Sequence, residues 1–141
     1  MEIAASRAGV ARAALGGISL ETSPLFSRTY DFLAWLLPRT ERFPRPQRFV
    51  VTKRLQDAAL DFQELIVDAE GVRGAQRLER LRQADSALGK IRLYLRLCRE
   101  WDWLTSGQYQ HAAQMVTEMG RLLGGWIKTV PVKGTPGVGT S

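Results

Sequence analysis

A chain of 141 residues with 45% hydrophobic content is the size of one domain, able to bury roughly two-thirds of its unfolded surface. Lys and Arg number 20 against 14 Asp and Glu, a formal charge of +6 with a pI near 10.1, so the first partners to consider are polyanions: RNA, DNA or an acidic protein surface. One cysteine, Cys98, excludes an intramolecular disulfide, and no apolar run approaches the roughly 20 residues of a membrane span.

Residues 1–22 are rich in Ala and Gly, with little to bury, and are expected to form a flexible N-terminal arm. They lack the apolar core of roughly 7 to 15 residues that a secretory signal needs, which leaves a soluble, cytoplasmic protein as the expectation.

From residue 23 to 130 the apolar spacing is helical throughout. In "TSPLFSRTYDFLAWLLPRTERF", Ser23 is placed to cap a first helix and Pro24 occupies its first turn. Phe26, Tyr30, Leu33 and Leu37 then recur at steps of four and three. Pro38 should kink this helix, and Pro44 with Pro46 should end it, because proline disfavours the helical conformation in the residue before it. A second helix is expected from about Pro46 or Gln47, with Val51, Leu55, Ala58, Phe62, Leu65 and Ala69 inward, stopping at "EGVRG". Its carboxylates Asp57, Asp61, Glu64 and Asp68 share one face. A di-metal bundle would need inward Glu-x-x-His pairs. The chain has one histidine, His111, so no metal is expected and the acids read as a solvated face, or one that meets arginines of another helix or subunit.

A third helix from about Gly74 to about Trp103 should bury Leu81, Ala84, Leu88, Ile91, Leu95 and Cys98. Its segment "IRLYLRLCREW" places Arg92, Arg96 and Arg99 within about 60° of one another, flanked by Leu88 and Leu95 on one side and Leu93 and Leu97 on the other. Two apolar flanks are more than a lone bundle needs. One can serve the core and the other a second subunit, with the arginines lining the seam, stems on leucine and heads free for phosphate or carboxylate. Intramolecular pairing with Asp57, Asp61 and Glu64 accounts for the arginines equally well.

"LTSGQY" offers Thr105 or Ser106 as cap for a fourth helix, with Tyr109, Ala112 or Ala113, Val116, Gly120, Leu123 and Ile127 on one face. Glycines 120, 124 and 125 cost a helix up to about 1 kcal/mol each relative to alanine; close helix-helix contact is the expected compensation, ahead of a surface where nucleic acid approaches. Cys98 lies on the apolar stripe as a structural thiol, and His111 has no nucleophile or orienting carboxylate placed with it by the sequence. Residues 131–141, "PVKGTPGVGTS", lack the Lys-Ser/Thr ending of a phosphate loop and read as a flexible Gly/Pro tail. Four helices with short connections imply an all-α, antiparallel up-down-up-down four-helix bundle. No catalytic constellation and no cofactor motif is present.

"ADSALGKIRLYLRLC", followed after a short turn by "QYQHAAQMVTEMGRLLGGWIK", resembles the accessory variability determinant (Avd) proteins of diversity-generating retroelements. These stand within a wider four-helix family that includes the ribosomal-RNA intervening-sequence protein. The similarity covers about residues 25–130 and is densest over helices three and four. It implies a barrel-like homopentamer without catalytic activity that binds the element's reverse transcriptase. Template-repeat RNA, and DNA as a further ligand, would be held through a basic surface, supporting mutagenic retrohoming. Residue by residue it points to Arg92, Arg96, Arg121 and Lys128, to which the helix geometry adds Arg99. The alternative is a four-helix scaffold, like the intervening-sequence protein, that meets an acidic protein or a structured RNA.

Overall fold

The computed structural model describes residues 23–131. The arm over residues 1–22 and nearly all of the tail over 131–141 lie outside the described residues. Four α-helices carry the chain: α1 Pro24–Thr40, α2 Lys53–Glu70, α3 Gly74–Glu100 and α4 Ser106–Thr129. Among the described residues there is no strand. Helix α1 packs on α2 and α4, and α3 packs on α2 and α4, so contacts close a ring around one core, the arrangement of a four-helix bundle.

Each terminus has a local cause. Pro24 begins α1, but Ser23 caps it through its backbone carbonyl, which accepts from the Phe26 N–H at 3.1 Å, and not through its side chain. The helix runs through Pro38 and stops two residues later. Between α1 and α2, Pro44 and Pro46 lack the N–H groups a regular helix needs. The chain passes through a 3-10 turn, Arg45–Gln47, and a π-helical turn, Arg48–Thr52, before regular helix begins at Lys53. Helical structure therefore starts where the prolines predict it, with α geometry delayed by about two turns.

Helix α2 ends under Arg77, whose guanidinium donates to the carbonyls of Ala69 at 2.8 Å and Glu70 at 3.2 Å and lies 5.7 Å from the Trp126 ring. This meets the orphan carbonyls with positive charge at the negative end of the helix dipole. At the other end of the chain, Thr105 and Gln108 form a reciprocal capping box at the start of α4.

Phe26, Phe32, Leu36, Leu55, Phe62, Ile66, Leu81, Leu88, Ile91, Leu95, Leu104 and Met119 supply the largest fully buried side chains. Every inward position expected on α3 is buried. On α2 the fully buried residue is Ile66, while Leu65 is half-buried. On α1, Leu25, Thr29, Phe32 and Leu36 join Phe26 and Leu33 inside, and Tyr30 and Leu37 are only half-buried. The buried stripe of α1 is wider than one row of steps, because apolar residues at 25, 26, 32, 33 and 36 all fall within the face turned to the core.

Candidate nucleic-acid interface

Helix α3 is long because nothing in its 27 residues breaks it, and its buried row fixes its rotation against the core. That rotation brings Arg92 and Arg96 to the edge facing α4. There they line a groove of about 230 Å³ with Leu95, Tyr109, Ala113, Val116 and Thr117. The floor is apolar and small, the rim carries two guanidiniums and two hydroxyls, and no carboxylate lines it. Both arginines are exposed, and neither has an ion-pair partner among the described residues.

Gly120 shapes this groove. A Cβ at that position would stand 2.7 Å from Arg92 Nη2 and 3.2 Å from Leu88 Cδ2. The guanidinium of Arg92 thus lies across α4 where a side chain is missing. The expected role in close backbone contact is corrected: what approaches Gly120 is a side chain, while added Cβ atoms at Gly124 and Gly125 would meet nothing within 4 Å.

The other sequence-selected cations separate from this pair. Arg99, 39% exposed, bridges the α3–α4 connection: its Nη1 meets Asp102 Oδ1 at 3.1 Å and its Nη2 donates to Ser106 Oγ at 3.1 Å. Arg121 makes a two-pronged contact with Glu118, at 2.6 and 3.1 Å. Its hydrogen bonds, together with the attraction of Arg121 and Arg28, hold the Glu118 carboxyl below the usual carboxylate range. Arg121 is 66% exposed, so this pair is screened and is worth little. Lys128 is exposed in the last turn of α4. No ion pair joins Arg92, Arg96 or Arg99 to Asp57, Asp61 or Glu64 among the described residues; Asp57 pairs instead with Lys53 at 2.7 Å.

Asp61, Glu64 and Asp68 face Glu79, Arg82 and Lys90 across a separate α2/α3 groove of about 560 Å³. Charges of both signs line it without an ion pair between them among the described residues, and no group of His, Cys, Asp or Glu among the described residues has the geometry of a metal site. Cys98 is fully buried and its thiol is pushed up to about 12 by desolvation, which makes it inert as a nucleophile at neutral pH. His111 is exposed and packs on Trp35 with ring centroids 5.2 Å apart, an aromatic contact with no nucleophile attached. No helix among the described residues is long and apolar enough to cross a membrane.

Compared with known families, residues 25–130 match the sequence profile of the family described as bAvd-like. The chain belongs to the bAvd-like family. The matched span takes in all four helices but for Pro24, the first residue of α1, and both arginines of the α3/α4 groove, and it ends one residue past the C-terminus of α4. No curated protein matches the chain. The cations expected from the sequence fall on α3 and α4, but only Arg92 and Arg96 among them line the groove, and Tyr109 and Thr117, which line it with them, were not expected as rim partners. Their signal was present: residues 109, 113, 116, 117 and 120 recur at helical steps on the side of α4 that meets α3.

Proposed function

We propose that this bAvd-like chain is a non-enzymatic accessory protein of a diversity-generating retroelement. It binds the element's reverse transcriptase and its template RNA or cDNA, and so supports mutagenic retrohoming. The observation that carries the reading is the α3/α4 groove, where Arg92 and Arg96 stand exposed, without ion-pair partners among the described residues, over an apolar floor with no carboxylate. Guanidinium forks with free donors suit phosphate oxygens, and stability gives little reason to leave two such groups unpaired on one rim. Lys128 and Arg121 extend the positive surface along α4; Arg121 is available once Glu118 is displaced or shared.

The assembly proposed is a homopentamer of antiparallel four-helix bundles acting in the cytoplasm. Support comes from the outer flank of α3, where Leu93 is 54% exposed and Leu97 half-buried beside the arginine rim. An apolar flank adjoining a basic rim suits a subunit seam that carries charge along its edge.

The test is RNA binding by the Arg92→Ala/Arg96→Ala double variant at several salt concentrations, with light scattering and circular dichroism alongside. The expected result is a folded particle of about five chains. Its affinity falls and its dependence on log salt flattens by roughly 0.7 to 0.9 for each phosphate that is no longer neutralised. Unchanged RNA affinity with an intact fold would return the two arginines to ordinary surface residues.

A further inference from the structure

At the connection between α3 and α4 the chain builds an aromatic series that the α3/α4 groove does not use. Helix α3 ends in a Schellman turn: the Trp103 N–H donates to Cys98 O at 2.9 Å and the Asp102 N–H to Arg99 O at 3.1 Å, with Asp102 at φ +61°. Glycine is the usual residue there. Asp is among the few others that tolerate the left-handed region, and here its carboxylate is also held by Arg99.

The turn lays Trp103 half-buried against the core and leaves Trp101 exposed beside it. Phe43 is buried; its ring centroid lies 5.3 Å from that of the half-buried Trp103, which lies 5.1 Å from that of Trp101. Trp101 is 44% exposed. Beside Phe43 and Trp103 runs a groove of about 250 Å³ lined also by Arg39, Arg42 and Gln108, with no carboxylate; Arg39 is engaged on Trp35, donating to its carbonyl at 2.7 Å with its guanidinium 4.3 Å from the ring. Arg42 is exposed and has no ion-pair partner among the described residues. The groove is smaller than the roughly 300 to 1,000 Å³ of sites that enclose whole drug-sized ligands, and suits a single ring.

We propose that Trp101 and Trp103, with Arg42, form a stacking platform for unpaired nucleobases, so that the protein distinguishes single-stranded from duplex nucleic acid at this end. A rooted aromatic series that ends in an exposed face, next to a free guanidinium, is an arrangement suited to single strands: each base has a π face, and duplex bases do not offer theirs. The platform rests on the nucleic-acid reading proposed above but assigns a different element and a different part of the ligand, base rather than phosphate.

The test uses the full chain at about 0.15 M salt with three probes: a labelled 20-residue oligodeoxythymidylate, a duplex of equal length, and heparin. Stacking contributions of roughly 1 to 3 kcal/mol per base correspond to about a 5- to 150-fold weaker grip on the single strand in Trp101→Ala. Duplex and heparin binding should be unchanged, and Trp101→Phe should recover much of the loss. Independently of any variant, the single strand should quench the native tryptophan emission and heparin should not. Arg92→Ala/Arg96→Ala should instead weaken all three probes, so failure of the platform and failure of the α3/α4 groove give different patterns. Equal losses for all probes, absence of quenching, or no single-strand binding by the native chain overturns the proposal. A change in particle mass for Trp101→Ala makes the face a contact between copies or with a protein partner, and overturns it too.

Discussion

Gly120→Ala separates packing from ligand binding at one atom. Helix propensity alone favours alanine by about 0.8 to 1 kcal/mol in a helix interior. Against that gain, the new methyl would stand 2.7 Å from Arg92 Nη2 and 3.2 Å from Leu88 Cδ2. The first contact is relieved by swinging the end of a flexible, exposed side chain. The second asks a fully buried leucine to yield by a few tenths of an ångström, a small fraction of the roughly 1 to 3 kcal/mol of a true overpacking mutation. Stability should therefore change by less than about 1 kcal/mol in either direction.

Function should not be spared in the same way, because the swing takes the guanidinium off α4. Urea denaturation and RNA titrations at three salt concentrations test this together. The expected outcome is a near-native midpoint with RNA affinity reduced toward that of Arg92→Ala and a salt slope lower by about one phosphate's worth. Gly124→Ala is the internal control: its methyl meets nothing within 4 Å, so it should stabilise by up to about 1 kcal/mol and leave binding alone. If Gly120→Ala lost more than about 2 kcal/mol of stability, Gly120 would be a packing residue after all. If Arg92→Ala weakened RNA binding and Gly120→Ala did not, the pose of Arg92 over Gly120 would be irrelevant to the ligand.

Three further outcomes follow from the structure. Thr105→Ala removes the capping box of α4 and should cost about 1 kcal/mol in thermal or urea melts, with no effect on RNA affinity. Asp102→Gly should be neutral or stabilising at the left-handed turn position, whereas Asp102→Val should cost about 1 to 2 kcal/mol, since a β-branched residue is strained at φ +61°. The Cys98 thiol ordinarily titrates at 9.0 and in the fold at about 12, so above pH 9 the unfolded chain releases a proton that the folded chain keeps. Stability should accordingly fall between pH 9 and 12 by up to about 1.4 kcal/mol per pH unit, and Cys98→Ala should remove that component of the slope; equal slopes for the two proteins would contradict it.

How much of this was readable beforehand follows from what periodicity encodes. Every expected inward residue of α3 is buried, and Leu78 and Ala87 join them on the same face. Periodicity was less informative on α1, where Leu25, Phe26, Phe32, Leu33, Leu36 and Leu37 allow more than one apolar row, and on α2, where Leu65 and Ile66 are adjacent and equally apolar. The cations were found as a set but could not be sorted, since sorting depends on what lies three residues along or across a groove. Asp102 and Ser106 take Arg99, and Glu118 takes Arg121. The aromatic turn left no signal: Asp102 occupies the position where glycine would have announced a helix end, so α3 reads three residues too long and Trp101 and Trp103 read as helix.

That sorting bears on why the charge excess is where it is. The second half of the chain carries 11 Lys and Arg against 5 Asp and Glu, and two of those five carboxylates answer particular arginines, Asp102 for Arg99 and Glu118 for Arg121. Balancing Arg92 and Arg96 would have taken one acid on the facing side of α4, at Ala113 or Thr117, both of which line the groove. An exposed pair there would contribute at most about 1 kcal/mol, too little for stability to decide the matter either way. A carboxylate would, however, fill the guanidinium donors that a phosphate would use. The uncharged positions opposite Arg92 and Arg96, and the missing side chain at Gly120, therefore act in the same direction: they leave two cations accessible on a helix edge, at a cost to the fold of about 1 kcal/mol of helix propensity at most.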